Sequence, residues 1–262
     1  MSIVWEGKLM RKIMSIIHYE YKMQLKRIAT WGVLLTATGV ALLDNFPSVT
    51  NLARLEFLIK PAYFIYRTMS QDGLILAFGL LFLLSNRFPL DKKTGVKSII
   101  MASPINKGQY IFGKLLGGFL YTFTMLCIFL IVNTAAYYVA APFEIGIMEC
   151  IAPLLKTIII SALPVSLFIS FCSVALPALM DIRLFYLLSA VLFGVNASTV
   201  NAAEARPFYL ITSGDLIRLI WVHPRWTELI MSSVKANLLF LLGGGGISCV
   251  LLCLKRKFWR AE

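Results

Sequence analysis

Apolar positions in this chain gather into long blocks and do not alternate with polar ones. Four blocks stand out: Leu115 to Ala141, Thr157 to Met180, Leu184 to Val200 and Ala236 to Leu254. Each is close to the roughly 20 residues that cross about 30 Å of hydrocarbon at about 1.5 Å per residue. Two earlier blocks are weaker. Ile28 to about Phe46 carries Asp44 near one end, and Gly73 to about Phe88 has an uninterrupted apolar run only over Leu74 to Leu84. Either alone also fits a buried helix of a soluble protein; beside the other four, each reads as a span. The pattern predicts an all-α membrane protein, a single transmembrane domain over residues 1–262 with six transmembrane helices.

Ahead of the first span, Met10, Ile13, Met14, Ile17, Tyr21, Leu25 and Ile28 recur at three- and four-residue steps, with Lys8, Arg11, Lys12, Lys22 and Lys26 elsewhere on the wheel. Residues 1–27 therefore read as an amphipathic helix in the cytoplasmic interface, apolar stripe down and cations among the lipid phosphates. A first span that starts early is the other reading. The stretch lacks an apolar core followed by a small-residue cleavage site, so no cleavable signal peptide is expected.

Composition agrees with the pattern. The chain is 59% hydrophobic and 15% charged, against globular averages of roughly 45–50% and 25%. Charge then sets orientation. With six spans both termini share a side, and residues 1–27, 86–114, 181–183 and 255–262 hold 17 of the 25 Lys and Arg but 5 of the 13 Asp and Glu. The whole formal +12 lies on that face, which the positive-inside rule makes cytoplasmic. Anionic lipid explains such a charge and no nucleic-acid partner is expected; a multi-pass protein of a bacterial plasma membrane is. The five cysteines, Cys127, Cys150, Cys172, Cys249 and Cys253, have neither metal-ligand spacing nor the look of a disulfide framework.

An ionisable group inside the bilayer is costly and kept for use. Here every Asp and Glu reads as lying in a loop or at the end of a span, and His18 and His223 lie outside the spans. That arrangement argues against a proton relay, an intramembrane protease or a Ser-His-Asp enzyme. The neutral polar residues Asn133, Ser161, Ser166, Ser170, Ser173 and Asn196 fall within spans. Asn133, Ser166, Ser170 and Asn196 are candidates to line a substrate path; hydrogen bonding between helices is the alternative for each. Gly113-x-x-x-Gly117 with Gly118, and Gly243 to Gly246, suggest close backbone approach, while Pro164 and Pro177 suggest kinks in the fourth span.

Gly108-Gln-Tyr-Ile-Phe-Gly113-Lys114 has the spacing of a phosphate-binding loop. A working loop needs Ser or Thr after the Lys to hold Mg²⁺ and a buried strand before it. Leu115 follows instead and leads into a span, so the chain is expected to bind no nucleotide and to have no catalytic site.

The same region carries a second pattern. Residues 91–117 read DKKTGVKSIIMASPINKGQYIFGKLLG, in which Asp91 is placed to cap a short helix, Val96, Ile99 and Ile100 form an apolar patch, and Pro104 follows the end. This resembles the membrane subunit of type-2 ATP-binding-cassette (ABC) exporters, whose corresponding loop runs acidic-basic, Gly, an apolar run, Thr/Ser-Pro, a basic residue, Tyr and Gly-Lys. Gly95, Ile99 to Met101, Ser103-Pro104, Lys107, Tyr110 and Gly113-Lys114 take those places, the last pair starting the third span. Val96 and Ser98 stand where the family often has Thr and Glu, and Lys93 replaces a common acidic residue.

The resemblance implies a permease without its own cofactor. Two cytoplasmic ABC ATPase subunits would bind ATP and Mg²⁺, and a second permease subunit, identical or related, would complete the complex. Residues 91–102 would form the coupling helix gripped by the ATPase, with Asp91, Lys92, Lys93, Gly95, Val96, Ile99, Ile100, Ser103, Pro104 and Lys107 as the contact set. Residues 201–235 would hold short outer or re-entrant helices between spans five and six, a plain loop being the alternative. The cargo suited to such a path is a peptide, a lipophilic drug or a lipid-like molecule, antimicrobial peptides included. The competing class is an ATP-independent facilitator or receptor-like binder.

Overall fold

The computed structural model describes residues 2–46, 59–87, 90–91, 95, 106–141, 144–199, 210 and 231–254, with side chains of the first helix from residue 11, of α6 to residue 197 and of α7 from residue 238. Every regular element among them is a helix: α1 (Ser2–Leu25), α2 (Ile28–Asn45), α3 (Pro61–Ser85), α4 (Lys107–Ala140), α5 (Ile147–Leu179), α6 (Ile182–Thr199) and α7 (Met231–Leu254). Among the described residues the chain is all-helical, with the long apolar helices of a membrane protein. The four helices α2 to α5 are each long and apolar enough to cross a bilayer, while α6 and α7 carry shorter apolar stretches, Ile182–Ala197 and Leu238–Leu254. Leucines, isoleucines and valines such as Leu43, Val139, Leu187 and Ile247 are exposed on the outside of the bundle, as a hydrocarbon solvent demands.

Three helices start earlier than hydropathy alone indicates. α3 begins at Pro61 rather than Gly73, because Pro at the first helical position is pre-set for the turn and lacks an N–H that would go unpaired. α4 begins at Lys107 rather than Leu115: Asn106 and Gln109 form a reciprocal capping box, and the Asn106 N–H donates to Gln109 Oε1 at 3.1 Å. Gly113 and Lys114 are thus nearly two turns inside the helix, not at its start. At 34 residues α4 is about 50 Å long, well beyond the hydrocarbon thickness. α5 begins at Ile147 rather than Thr157 and contains a π-helical turn at Ile158–Ala162, immediately ahead of Pro164. The proline ring crowds the carbonyl four residues back, and widening the preceding turn relieves that clash. A second π turn, Thr68–Asp72, interrupts α3.

α3 and α5 form the centre, with α4 packed along both. Their core includes Met69, Leu76, Leu80, Leu84, Tyr121, Met125, Phe129, Val165 and Ile169. The glycines decide where backbones approach. A Cβ on Gly113 would lie 2.6 Å from Ile16 Cγ2, one on Gly117 would lie 2.7 Å from Glu20 Cβ, and one on Gly118 would lie 2.7 Å from Ser170 Oγ. So α1 is seated on the Gly113/Gly117 ridge of α4 and α5 on the neighbouring Gly118. In α7 only Gly244 and Gly245 are pressed, against Phe168 and Phe171 of α5; Gly243 and Gly246 face open space.

The turn into α6 is sharp, and the Arg183 N–H donates to Asp181 Oδ1 at 2.7 Å. From there α6 leans onto α3 more than onto α5, through Ser85 and Tyr186, whose hydroxyls are 3.0 Å apart, and Phe78 and Phe193, with centroids 4.8 Å apart.

Candidate functional site

α1 turns most of its expected apolar stripe inward, with Ile17 buried and Ile13, Tyr21 and Leu25 half-buried, although Met14 is exposed. The buried face also takes in the polar Glu20 and Gln24. Glycines on α4 make this possible, because they let the backbone of α1 come close enough for short polar chains to reach inward. The end of α1 is then tied to the first turn of α2: the Thr30 hydroxyl donates to the Gln24 carbonyl at 3.0 Å, and the Trp31 indole N–H to the Leu25 carbonyl at 2.9 Å. With its one proton so used, Thr30 Oγ1 accepts from the Tyr121 hydroxyl at 2.9 Å.

Glu20 is the hub of a buried ionic cluster. Arg87, just past the end of α3, grips it bidentately, with Nε to Oε1 at 2.5 Å and Nη2 to Oε2 at 3.1 Å. Lys114 of α4 stands 3.7 Å from Glu20 Oε2 and also pairs with Asp91, which accepts the Tyr110 hydroxyl. Two acids thus face two bases, which is the neutral balance a desolvated group of charges requires. Arg27 lies beside the cluster and donates to the Leu83 carbonyl at 2.9 Å. Desolvation first, and then the charge of Arg87, pull its guanidinium below the ordinary value.

Asp91, expected to cap a helix, gives its Oδ2 to Lys114 and Tyr110; the backbone it would cap lies outside the described residues. Gly95 has φ 72°, a left-handed backbone that favours glycine. Lys107 reaches the Cys253 carbonyl at the end of α7, joining two helix ends. Lys92, Lys93, Val96, Ile99, Ile100, Ser103 and Pro104, like the proposed outer helices of residues 201–235, lie outside the described residues, except Leu210 and the start of α7.

The candidate path residues are not brought together as one lining. Ser170 donates to the Leu115 carbonyl of α4 at 2.9 Å, Ser166 to its own helix at Ala162, and Asn196 both donates to Leu192 and accepts the Leu210 N–H at 2.8 Å. Ser170 and Asn196 therefore join segments, as the helix-bonding alternative holds. Asn133 differs: its amide donates to Phe129 at 2.8 Å, and its oxygen is buried with no hydrogen-bond partner.

One expectation is overturned outright. Because α3 extends out to Pro61, Asp72 is not at the end of a span but midway along a 25-residue membrane-length helix, buried, and bonded to the Asn45 amide. Hydropathy missed it because Arg67, Gln71 and Asp72 break the apolar run; the partners of Arg67 and Asp72, Asp44 and Asn45, come from α2. Among the described residues no group of three or more His, Cys, Asp and Glu is arranged to hold a metal. The chain matches no protein-family model, no curated protein and no solved structure.

Proposed function

We propose that this chain is the permease subunit of an ABC exporter: six spans with both ends on the cytoplasmic face, α1 in the interface, and separate ATPase subunits bound to the segment between α3 and α4. The reading is carried by the 91–117 pattern, and the anchoring of that segment supports it. Asp91 at its start is tied to Tyr110 and Lys114 beyond its end, so a pull on the intervening residues is delivered to α3, α4 and, through Glu20, α1 together. Coupling by contact needs a handle whose base does not give. Two ATPase subunits closing on ATP would move this handle in each of two permeases and open the seam outward, releasing a peptide, drug or lipid-like cargo.

The test is double. Gentle extraction from the native membrane should retrieve the chain with an ABC ATPase, and Ile99→Asp with Ile100→Asp should abolish transport while hydrolysis and membrane insertion persist. Unaltered transport by that variant, or retrieval with no ATPase, overturns the proposal. Asp72 favours a second reading, an ATP-independent carrier, because a buried intramembrane carboxylate is what such a carrier uses. Purified protein that moves its cargo across vesicles with no ATPase present would establish it.

A further inference from the structure

The membrane-embedded part of the bundle contains a layer of oxygen atoms short of donors. Asp72 receives the Asn45 amide, yet Asn45 Oδ1, beside it, has no partner although the residue is 4% exposed. Thr68, four residues before Asp72 in the same π turn and 1% exposed, has an unpartnered hydroxyl. Phe64 and Tyr137 stack at 4.2 Å and fix the antiparallel register of α3 on α4. One turn further along each helix stand Thr68 and Asn133, the latter fully buried with its oxygen unpartnered.

A carboxylate has about four acceptor positions, and buried acceptors left empty cost free energy unless something fills them. Among the described residues no basic side chain forms an ion pair with Asp72; Arg67 acts on it only from beyond ion-pair distance and is itself paired with the exposed Asp44 at 3.9 Å. The deficit is in donors and in positive charge, which defines the missing partner as a cation. The π turn gives the site a means to open, since such turns break the regular ladder and recur at functional positions.

We propose that Asp72, Asn45, Thr68 and Asn133 form an intramembrane cation site that takes the ammonium group of the exported molecule. This rests on the export reading and narrows its cargo to amines and basic peptides. An inorganic monovalent ion offers the same chemistry from another source, so the test separates the two. The full chain in lipid nanodiscs is treated with dicyclohexylcarbodiimide, which activates carboxyl groups in apolar surroundings. Labelling is followed by mass spectrometry as loss of the unmodified Asp72 peptide, to the acylurea adduct or to the amide that an amine forms with the activated carboxyl, with Asp72→Asn as the blank.

Dodecylamine should slow labelling about tenfold at roughly ten times its half-protecting concentration, and neither dodecanol nor NaCl in place of choline chloride should do so. Protection by NaCl without protection by the amine overturns the assignment to a cargo ammonium. Labelling indifferent to both, or no adduct at Asp72 in the cation-free protein, overturns the site. The assay involves no ATPase, so its failure is distinguishable from failure of the export reading, which is judged by ATPase capture.

Discussion

At the scale of single residues, the energetics concentrate on Glu20. A buried ion pair is a poor source of net stability, but removing one member strands the other and costs about 3–5 kcal/mol. Glu20→Met leaves Arg87 without its bidentate acceptor and Lys114 with Asp91 alone. It should therefore destabilise by that amount in a reversible denaturant titration in mixed micelles. Glu20→Met combined with Arg87→Met leaves Lys114 balanced by Asp91 and should restore most of the loss. A double variant as unstable as the single one would show that the cluster is not organised as two separable pairs.

Among elements, α1 depends on α4 having no side chain where they touch. Gly117→Leu drives atoms into Glu20 Cβ and the Ile17 carbonyl, and overpacking of this kind costs about 1–3 kcal/mol. Hydrogen exchange should then quicken along α1, whereas Gly39→Leu, with nothing within 4 Å of its added Cβ, should leave α1 protected. Equal protection in the two variants would refute this account of the seat. The glycine ridge was legible in the sequence, since small residues four apart have one use in a membrane helix. The capping box was equally legible: Asn106 and Gln109 are three residues apart, yet hydropathy drew attention to Leu115. The ionic cluster was not legible, because Glu20 and Arg87 are far apart in the chain and each reads alone as a surface charge. Asp72 was hidden for the same reason. Hydropathy scores residues one at a time, and what lets a carboxylate sit in mid-helix is an Asn from a different helix.

Over the whole molecule, as far as its residues are described, apolar side chains both fill the core and face outward, where a hydrocarbon solvent accepts them, and polar groups such as Glu20, Asp72 and Asn133 are buried between helices. The asymmetry of charge adds a direction. Sidedness follows if α2 to α5 all cross, since each connection then alternates. Lys60 and Glu144 fall at one end and His18 and Asp181 at the other, and all four are exposed. In a variant with the five native cysteines replaced, Lys60→Cys and Glu144→Cys should react with a membrane-impermeant maleimide on intact cells. His18→Cys and Asp181→Cys should react only after permeabilisation. Reaction of Asp181→Cys in intact cells together with Glu144→Cys would mean that α5 does not traverse the bilayer. The formal +12 would then no longer be confined to one face, and the segment between α3 and α4 would lose its claim to be the surface an ATPase can reach.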